Sequence, residues 1–175
     1  MAAHSRETIA MPDAFTFLES PVGRLTLVAR GPKLAAILWE EDRPSRVRLG
    51  ELCEQEDHPM LMRTATQLQE YFAGQRQQFD LELDFAGTDF QVQVWHALLT
   101  IPFGETRSYL DIATQLGNPK AVRAVGAANG RNPISIIAPC HRVIGSSGNL
   151  TGFAGGLPAK QYLLNLERRD LLSMC

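Results

Sequence analysis

The segment Asn132–Gly145, with the sequence NPISIIAPCHRVIG, determines which fold and which chemistry we expect of the chain. Its first half, Ile134–Ala138, is apolar and rich in β-branched residues, a pattern that predicts a short buried strand. Pro139 should end that strand, because proline has no N–H to donate to a sheet. Cys140–Arg142 follow directly, so a thiol, an imidazole and a guanidinium stand at the end of a buried element.

Cys140 is the candidate nucleophile of this segment. A free thiol has a pKa of about 8.5, and only the thiolate is a good nucleophile. His141 and Arg142 could favour the thiolate, the first by accepting its proton and the second by its charge. A lone cysteine, however, is more often a small buried hydrophobic residue. These three residues alone leave a catalytic and a structural role open.

The composition is that of an ordinary globular protein. The chain has 175 residues, of which 45% are hydrophobic and 21% charged, enough for one sizeable core or two small domains. No apolar run approaches the length of a membrane span, and Met1–Pro12 lacks the apolar stretch of a secretion signal. We therefore expect a cytoplasmic protein with no membrane partner.

The cysteines and histidines predict no metal or disulfide. Three widely spaced cysteines include no Cys-x-x-Cys pair, which favours neither a zinc site nor a disulfide framework and suits a reducing compartment. We expect Cys53 and Cys175 to be inert. His4 and His58 have no partners at ligand spacing, so we expect both on the surface.

Charge is distributed unevenly along the chain, although the formal net charge is only −2. Residues 1–88 hold 9 basic and 14 acidic residues, a balance of −5, whereas residues 89–175 hold 8 and 5, a balance of +3. Between Arg107 and Arg142 there are five basic residues and one acid, Asp111. Because local charge governs contact with phosphates, the second half is the candidate for nucleic-acid binding. A solvated basic face is the alternative.

The first half of the sequence predicts a small α+β domain without evident chemistry. His58–Phe72 has the apolar spacing of a helix, and Gln78–Phe85 alternates as a half-buried strand does. Glu40–Gln55 is charged and irregular, with at most a poor helix, and Met1–Asp13 is expected to be a disordered lead-in. Turn residues separate three runs that predict an antiparallel meander: Phe15–Leu18, Arg24–Ala29 and Leu34–Trp39.

A domain boundary is expected at Gly87, giving an N-terminal domain of residues 1–87 and a C-terminal domain of residues 88–175. Thr88 or Asp89 can cap the next helix, because a short side-chain oxygen accepts an orphan backbone N–H. Trp95 lies on the apolar stripe of that helix, so we expect it in the core. Pro158–Arg169 predicts the last helix, with Glu167 near its inward side and a terminal tail after it.

Two short helices predict a helix-turn-helix. Ser108–Leu116, with Ser108 as its cap, precedes the turn Gly117–Pro119, and Lys120–Asn129 forms the second helix. This second helix is rich in small residues, so its surface could approach a groove closely, and its long residues Lys120 and Arg123 are cationic. Many such helix pairs never touch DNA, so the pattern alone does not decide the function.

One motif resembles the active-site signature of a known family, the O6-alkylguanine-DNA alkyltransferases, also called methylated-DNA–protein-cysteine methyltransferases. The motif consists of Pro139–Val143, with Asn132-Pro133 before it and Gly155-Gly156 after it. The resemblance covers roughly Gly87–Glu167 and continues more loosely through the first half. It implies a small N-terminal α/β sheet domain of the ribonuclease-H-like type. A mostly helical domain with a helix-turn-helix and a short active-site strand would follow. The chain has no Cys/His set like the zinc site of some animal relatives, which places it nearer the bacterial type.

The resemblance also assigns catalytic roles. Cys140 is similar to the alkyl acceptor of the family, His141 to the base, Glu167 to its partner, and Asn132 to the residue that braces the turn before the active-site strand. Sequence neighbours in an extended backbone point apart, so a bridging water is the expected link between Cys140 and His141. The family's Glu–His–water–Cys relay implies the same link.

The DNA-binding roles are carried over in the same way. Tyr109 matches the tyrosine that meets the phosphate beside the target and bonds the flipped guanine, and Arg123 matches the arginine that fills the stack. In the family the second helix enters the minor groove of DNA. Small residues on that helix would fit this narrow groove, and the resemblance therefore implies groove contacts for Ala124, Ala127 and Ala128.

The substrate pocket is expected in the glycine-rich loop Gly145–Gly156, whose alternative role is a simple surface connector. The resemblance implies that the carbonyls of Cys140 and Val143 and the amide of Ala154 read the guanine. Ala154 stands where some members have serine, and we expect only an altered tolerance for bulky alkyl groups. Further residues expected in the pocket wall are Phe153, Gly155 and Gly156.

The function implied is stoichiometric, irreversible transfer of an alkyl group from O6-alkylguanine in duplex DNA to Cys140, without metal or organic cofactor. O4-alkylthymine is a further possible substrate. The protein is expected to be monomeric in solution, and the family allows cooperative assembly on DNA. Two alternatives remain: a non-catalytic sensor of alkylated DNA, which in known cases lacks the cysteine, and a Cys–His hydrolase, for which no local signature is present.

Overall fold

The computed structural model of the chain describes residues 11–173. Its first part is a four-stranded sheet, in the order β3-β2-β1-β4, with one helix packed against it. The strands are β1 (Asp13–Ser20), β2 (Gly23–Arg30), β3 (Lys33–Leu38) and β4 (Leu52–Glu54), and the helix is α1 (Pro59–Phe72). The expected α+β class and the antiparallel β1-β2-β3 meander are confirmed.

The second part is mostly helical. Its helices are α2 (Asp89–Leu98), α3 (Tyr109–Gln115), α4 (Val122–Gly130) and α5 (Leu157–Ser173). A 3₁₀ turn, Cys140–Arg142, leads into β6 (Val143–Ile144), which pairs in parallel with β5 (Arg107–Ser108). No helix within residues 11–173 is both long and apolar enough to cross a bilayer.

Helices α2 and α3 each begin with a capping box, at the residues that the sequence predicted as caps. Thr88 accepts from the amide of Gln91 at 3.2 Å, and the Gln91 side chain accepts from the Thr88 amide at 3.0 Å. Ser108 and Asp111 exchange the same pair of bonds at 3.0 and 2.8 Å. Each box satisfies two backbone N–H groups that have no partner inside the helix.

The outer edge of β3 joins the two parts of the molecule. The Leu34 amide donates to the Glu82 carbonyl at 2.9 Å, and the Ile37 amide donates to the Pro133 carbonyl at 2.9 Å. An exposed strand edge invites pairing with other chains, and these contacts cover it. The Leu34–Glu82 bond lies within the first part, and the Ile37–Pro133 bond is the one that ties the segment before Cys140 to the sheet.

Two hydrophobic cores meet at the candidate nucleophile. Ile134 and Ile136 are fully buried in the core that the sheet shares with α1 and α5. Cys140 and Val143 instead belong to the core formed by α2, α3 and α4. The residues just before and just after Pro139 are therefore held by different parts of the molecule.

The predicted strand Ile134–Ala138 is wrong. Ile134 forms a single bridge with Ile37, and the next residues turn, with Ile136 at a φ of 75°. The Asn132 side chain explains the difference, because it accepts from the Ile134 amide at 3.1 Å and donates to the Ala138 carbonyl at 2.8 Å. These bonds, with Ala138 N to Ile134 O at 3.0 Å, close a buried turn in place of a ladder.

Other boundaries also differ from expectation. In Gln78–Phe85 only Leu83 forms a bridge, although the alternating apolar residues still pack on the core. The sequence reasoning missed β4, a three-residue strand parallel to β1, because its segment is highly charged. Helix α4 begins at Val122, so Lys120 lies in the turn before it.

The chain ends contain further differences. Asp13, expected in a disordered lead-in, is the first residue of β1. Helix α5 continues to Ser173 and includes most of the expected tail. Residues 1–10 of the lead-in, which include His4, and the terminal Cys175 lie outside the described residues.

Candidate active site

Asn132 sets the position of Cys140. Its buried side chain clamps both ends of the turn before Pro139, as the bonds to Ile134 and Ala138 show. The Cys140 amide then donates to the Ala138 carbonyl at 2.8 Å. The carbonyl of Asn132 accepts from the buried guanidinium of Arg46, which reaches across from the sheet part. The nucleophile thus stands on a turn held from both parts of the molecule.

The Cys140 thiol is buried, with 3% of its surface exposed. Burial raises the pKa of this thiol, because a thiolate loses hydration in an apolar pocket. The Asn132 amide, the charges of Arg46 and Lys160, and the Ser135 hydroxyl oppose that rise in pKa. The resting thiol is therefore protonated, and the site needs a base to produce the nucleophile.

Glu167 lies at the centre of the charged cluster behind Cys140. Its Oε2 is 2.6 Å from Nε2 of His141, and its Oε1 accepts from Nε of Arg142 at 2.7 Å. Tyr71 of α1 donates its hydroxyl to Oε2 at 2.6 Å, and the Gly104 amide donates to Oε1 at 3.3 Å. The carboxylate and the imidazole are essentially buried, so water screens these bonds little.

These contacts determine which nitrogen of His141 holds the proton. His141 and Arg142 hold the pKa of Glu167 well below its usual range despite burial, so Glu167 is a carboxylate that can only accept. Burial lowers the pKa of His141, so the imidazole is neutral at rest. Arg142 remains the permanent cation of the cluster. Nε2 must therefore donate its proton to Glu167, and Nδ1 is left as the basic nitrogen.

Nδ1 of His141 is buried and has no hydrogen-bond partner among the described residues. No hydrogen bond joins the His141 and Cys140 side chains in this part of the chain either. This finding agrees with the expectation that the side chains of Cys140 and His141, as sequence neighbours, point in different directions. The arrangement leaves a base with a bare lone pair on the residue that directly follows the buried thiol.

The glycine-rich loop packs against the sheet part. Phe153 meets Trp39 edge to face, with ring centroids 5.3 Å apart. A Cβ on Gly155 would lie 2.6 Å from the Trp39 indole, so only glycine fits that position. Trp39 is in turn fixed by a 3.1 Å bond from its Nε1 to Ser135 in the turn before Cys140.

Tyr109 connects this loop to the helix-turn-helix. Its hydroxyl lies 2.5 Å from the hydroxyl of Thr151. A cleft of about 570 Å³ opens beside this contact, and Cys140 is not among its lining residues. Four of its lining residues were expected to contact DNA or the substrate: Tyr109, Ala127, Phe153 and Ala154. Three arginines also line the cleft: Arg43, Arg46 and Arg131.

The two carbonyls expected to read guanine are both engaged within the protein. Val143 O accepts from Nζ of Lys160 at 2.7 Å, and Cys140 O accepts from the Val143 amide. Asn129 adds a long contact to Cys140 O at 3.5 Å. Val143 O keeps a second lone pair to which a purine amino group can still bind, whereas both lone pairs of Cys140 O face donors within the protein.

Helix α4 divides the predicted groove residues. Arg123, Ala124 and Ala127 are exposed on one face, as a contact surface requires. The expectation that Ala128 belongs to that surface is wrong. Ala128 is 2% exposed and packs in the helical core, where its carbonyl accepts from Nε1 of Trp95 at 2.8 Å. The core position expected for Trp95 is confirmed.

Sequence reasoning missed three residues of this site. Arg142 was considered only as a charge near the thiol, yet it is the ion-pair partner of Glu167. Lys160 was the second residue missed. It lies with Leu163 and Glu167 on one buried face of α5. A charged residue at helical spacing from an apolar one was a signal in the sequence that could have indicated its burial. Tyr71 gave no such signal, because its position on the inner face of α1 is typical of a core residue.

Comparisons with known proteins identify the relatives of this chain. The family profile described as 6-O-methylguanine DNA methyltransferase, ribonuclease-like domain, matches residues 14–85. The profile described as 6-O-methylguanine DNA methyltransferase, DNA binding domain, matches residues 89–169.

Individual relatives match over most of their length. A methylated-DNA–protein-cysteine methyltransferase of Mycolicibacterium paratuberculosis is 53% identical over 155 residues, covering 87% of this chain and 90% of the relative. The constitutive enzyme of that name from Bacillus subtilis is 47% identical, covering 88% and 94%. The crystal structure of Mycobacterium tuberculosis OGT in complex with DNA has a TM-score of 0.81 at 50% identity, covering 90% and 94%.

Proposed function

Because the chain belongs to the 6-O-methylguanine DNA methyltransferase family, we propose that it repairs alkylated DNA by moving the alkyl group from O6 of guanine to Cys140. The observation that carries this proposal is the pairing of Glu167 with Nε2 of His141 at 2.6 Å beside a buried thiol. That pairing directs the basic nitrogen, Nδ1, away from the carboxylate. A buried cysteine with an activating base is the requirement of nucleophilic catalysis.

The proton path follows from the tautomer of His141. The Cys140 proton passes through one bridging water to Nδ1, and the imidazolium formed is stabilised by Glu167. The thiolate attacks the alkyl carbon, so an S–C bond forms as the bond from carbon to O6 breaks. Guanine leaves with that electron pair and takes up one proton at N1, while His141 releases the proton it received, so the reaction ends with a neutral thioether, a neutral imidazole and neutral guanine. The thioether is stable, so each protein molecule reacts once and needs no cofactor.

Binding to duplex DNA uses the helix-turn-helix. Cys140 is buried, so the alkylated nucleotide must leave the base stack to reach it, at a cost of a few kcal/mol. Arg123 is exposed on α4 and can fill the vacated position, while Tyr109 lines the cleft. Ala124 and Ala127 allow α4 to approach the minor groove closely, and Lys120 contacts phosphate.

The pocket wall consists of Val143, Phe153, Ala154, Gly155 and Gly156. Residues 88–175 carry the DNA-binding and acceptor groups, and residues 1–87 form the supporting domain, a division that the two family matches favour. The protein acts as a monomer in solution and can assemble cooperatively on DNA. Its proposed substrate is DNA, which favours a cytoplasmic location in a bacterial cell.

The damage-sensor alternative has little support, because the chain retains Cys140 together with its base and the partner of that base. The hydrolase alternative would require repeated turnover on an ester or amide, and the sequence has no local signature of a Cys–His hydrolase. O4-alkylthymine remains a second proposed substrate.

The stoichiometry of repair tests this function. A duplex carrying one O6-methylguanine is titrated with protein, and the remaining lesion is counted after the reaction stops. We expect one lesion repaired per protein molecule, with no further loss over longer times. Continued loss beyond one equivalent would contradict a self-consuming acceptor, and binding without any loss would favour a sensor.

A further inference from the structure

A second cleft adjoins the cleft that Tyr109 lines. Its volume is about 460 Å³, and its walls come from the irregular segment after β3, the start of α2 and the residues just after α4. Arg46 and Arg131 line both clefts, so the two clefts meet along these side chains. The alkyl transfer described above makes no use of the second cleft.

The second cleft is lined by three arginines and by no acidic residue. The charge of Arg46 is balanced, because its buried guanidinium pairs with Asp42 at 2.5 Å. Arg48 and Arg131 are exposed, and neither side chain forms an ion pair or a hydrogen bond within the described part of the chain. Asp89, the first residue of α2, does not line the cleft. Two positive charges therefore face this cleft without a counter-charge.

This positive charge lies at the edge of an acidic part of the molecule. Residues 1–88 have a balance of −5, yet Arg43 lines the first cleft and Arg48 the second. The two glutamates just before them, Glu40 and Glu41, line neither cleft. Because local charge and not net charge governs contact with phosphates, the sheet part presents a basic edge where it borders the helical part.

The chemistry of the second cleft fits a phosphate diester. A guanidinium offers parallel N–H donors that match two phosphate oxygens, and it stays charged at any physiological pH. Gly87 and Thr88 also line the cleft, at the N-terminus of α2, where the helix dipole adds to the attraction for an anion. The cleft therefore combines two free guanidinium groups with a favourable backbone field.

The position of the cleft indicates which phosphate it would take. Arg131 is the C-cap of α4, and it directly precedes Asn132, which clamps the turn before Cys140. DNA on the exposed face of α4, with one nucleotide turned into the first cleft, must carry its strand past Arg131. A phosphate next to the flipped nucleotide then reaches the second cleft.

We propose that the second cleft is a phosphate-binding site for the lesion-bearing DNA strand, formed by Arg48 of the sheet part and Arg131 of the helical part. This inference rests on the proposed function, and it adds a direct contact between DNA and the sheet part. Because the two arginines come from different parts of the molecule, a bound phosphate joins these parts beside the turn that Asn132 holds.

Binding of a duplex with one O6-methylguanine tests the site apart from the chemistry, when Cys140→Ser in the parent protein prevents transfer. Fluorescence anisotropy gives the dissociation constant over a range of salt concentrations. Arg48→Gln with Arg131→Gln removes both charges, and Arg48→Lys with Arg131→Lys keeps them. Arg24→Gln with Arg63→Gln is the control, since these exposed arginines line neither cleft.

We expect the glutamine pair to bind the duplex about tenfold more weakly near physiological salt. The slope of log affinity against log salt should become shallower by about 0.9, the value for one lost phosphate contact. The lysine pair should keep the slope, and the control should match the parent. If Arg131→Gln fails to fold, Arg48→Gln alone should show a smaller loss in the same direction.

Two results would contradict the proposal in different ways. Unchanged affinity and slope in the folded glutamine variants would overturn this site alone and leave the proposed function standing. Failure of the parent to bind the duplex at all would overturn the proposed function, and this site with it.

Neutral linkages in the DNA identify the phosphate. Duplexes carry a methylphosphonate at one position at a time beside the lesion, and their binding to the parent and to the glutamine pair is compared. We expect one position to weaken binding by the parent and to leave the glutamine pair unaffected, because that contact is already lost. Equal losses in both proteins at every position would overturn the site.

Discussion

Glu167 determines the protonation state of the candidate catalytic pair. It accepts from His141, Arg142 and Tyr71, groups that come from two elements of the chain other than its own. Because Arg142 keeps the carboxylate ionised, the neutral imidazole must turn its protonated nitrogen toward it. Nδ1 of His141 is therefore the basic nitrogen because the Arg142–Glu167 ion pair lies on the opposite, Nε2, side of the imidazole ring.

Replacing Glu167 by glutamine tests that account. Glu167→Gln leaves Arg142 as an unpaired buried cation, and we expect it to cost about 3–5 kcal/mol of stability. Transfer from alkylated DNA should slow by about 10² or more, because the base loses its orientation. Urea unfolding and single-turnover kinetics measure the two effects. Glu19→Gln, at an exposed ion pair with Arg24, is the control and should change neither. Normal transfer by a folded Glu167→Gln protein would contradict the assigned tautomer.

His141 also makes stability depend on pH. Its pKa is lowered in the folded protein by burial, whereas in the unfolded chain it returns to about 6.5. The unfolded state thus binds a proton first as pH falls, so the stabilisation is complete above about pH 6.5 and declines below it. We expect the urea midpoint to fall between pH 7 and pH 5, and to fall less in His141→Gln. The exposed His96→Gln control should keep the full decline. An equal decline in His141→Gln would contradict a neutral buried imidazole.

Helix α4 is the element that meets DNA in this account. Its exposed face combines Arg123 with small residues, and its opposite face packs Val125 and Ala128 into the helical core. A nine-residue helix has room for only these two narrow faces. The prediction that Ala128 serves the groove together with Ala124 and Ala127 was wrong for this reason.

Arg123 should matter for duplex DNA and not for the chemical step. We expect Arg123→Ala to slow transfer from O6-methylguanine in a duplex by tenfold or more, because nothing then fills the space left by the flipped base. Transfer from the free base O6-methylguanine should stay unchanged, since no stack is opened. Single-turnover rates with the two substrates give the comparison. An equal loss with both would show that Arg123 acts in the pocket instead.

Much of the element structure was readable from local signals. The Thr88 and Ser108 caps and the strand–turn–strand meander depend on neighbouring residues, and these predictions were confirmed. The turn 134–138 was not readable, because its apolar β-branched residues match a strand. Its shape depends on the side chain of Asn132, whose bonds replace those of a ladder.

At the scale of the whole molecule, the sheet part supports the site of the helical part. Tyr71 binds Glu167, Arg46 binds the Asn132 carbonyl, and Trp39 supports the glycine-rich loop. None of these contacts was predicted, because each joins residues more than eighty positions apart and no local pattern signals it. Asn132, Cys140 and His141 were predictable as candidates because they lie together in one motif, whereas Glu167 lies outside that motif and was predicted only through the family resemblance.

Gly155 tests this support from the sheet part. A methyl group at this position would overlap the Trp39 indole at 2.6 Å, so Gly155→Ala should cost about 1–3 kcal/mol and slow transfer by displacing the loop. Gly152→Ala is the matched control, because nothing lies within 4 Å of its Cβ. Urea unfolding and transfer kinetics compare the two variants. If Gly155→Ala behaved like the control, the loop would not depend on Trp39.

The central claim is that Cys140 itself receives the alkyl group. Peptide mass spectrometry after reaction with a duplex containing O6-methylguanine tests it most directly, with Cys140→Ser as the matched variant. We predict a gain of one methyl group on the peptide that contains Cys140, no gain on the peptide with the exposed Cys53, and no gain anywhere in Cys140→Ser. A methyl group on another residue, or repair of the guanine with no mass gain on the protein, would contradict the account.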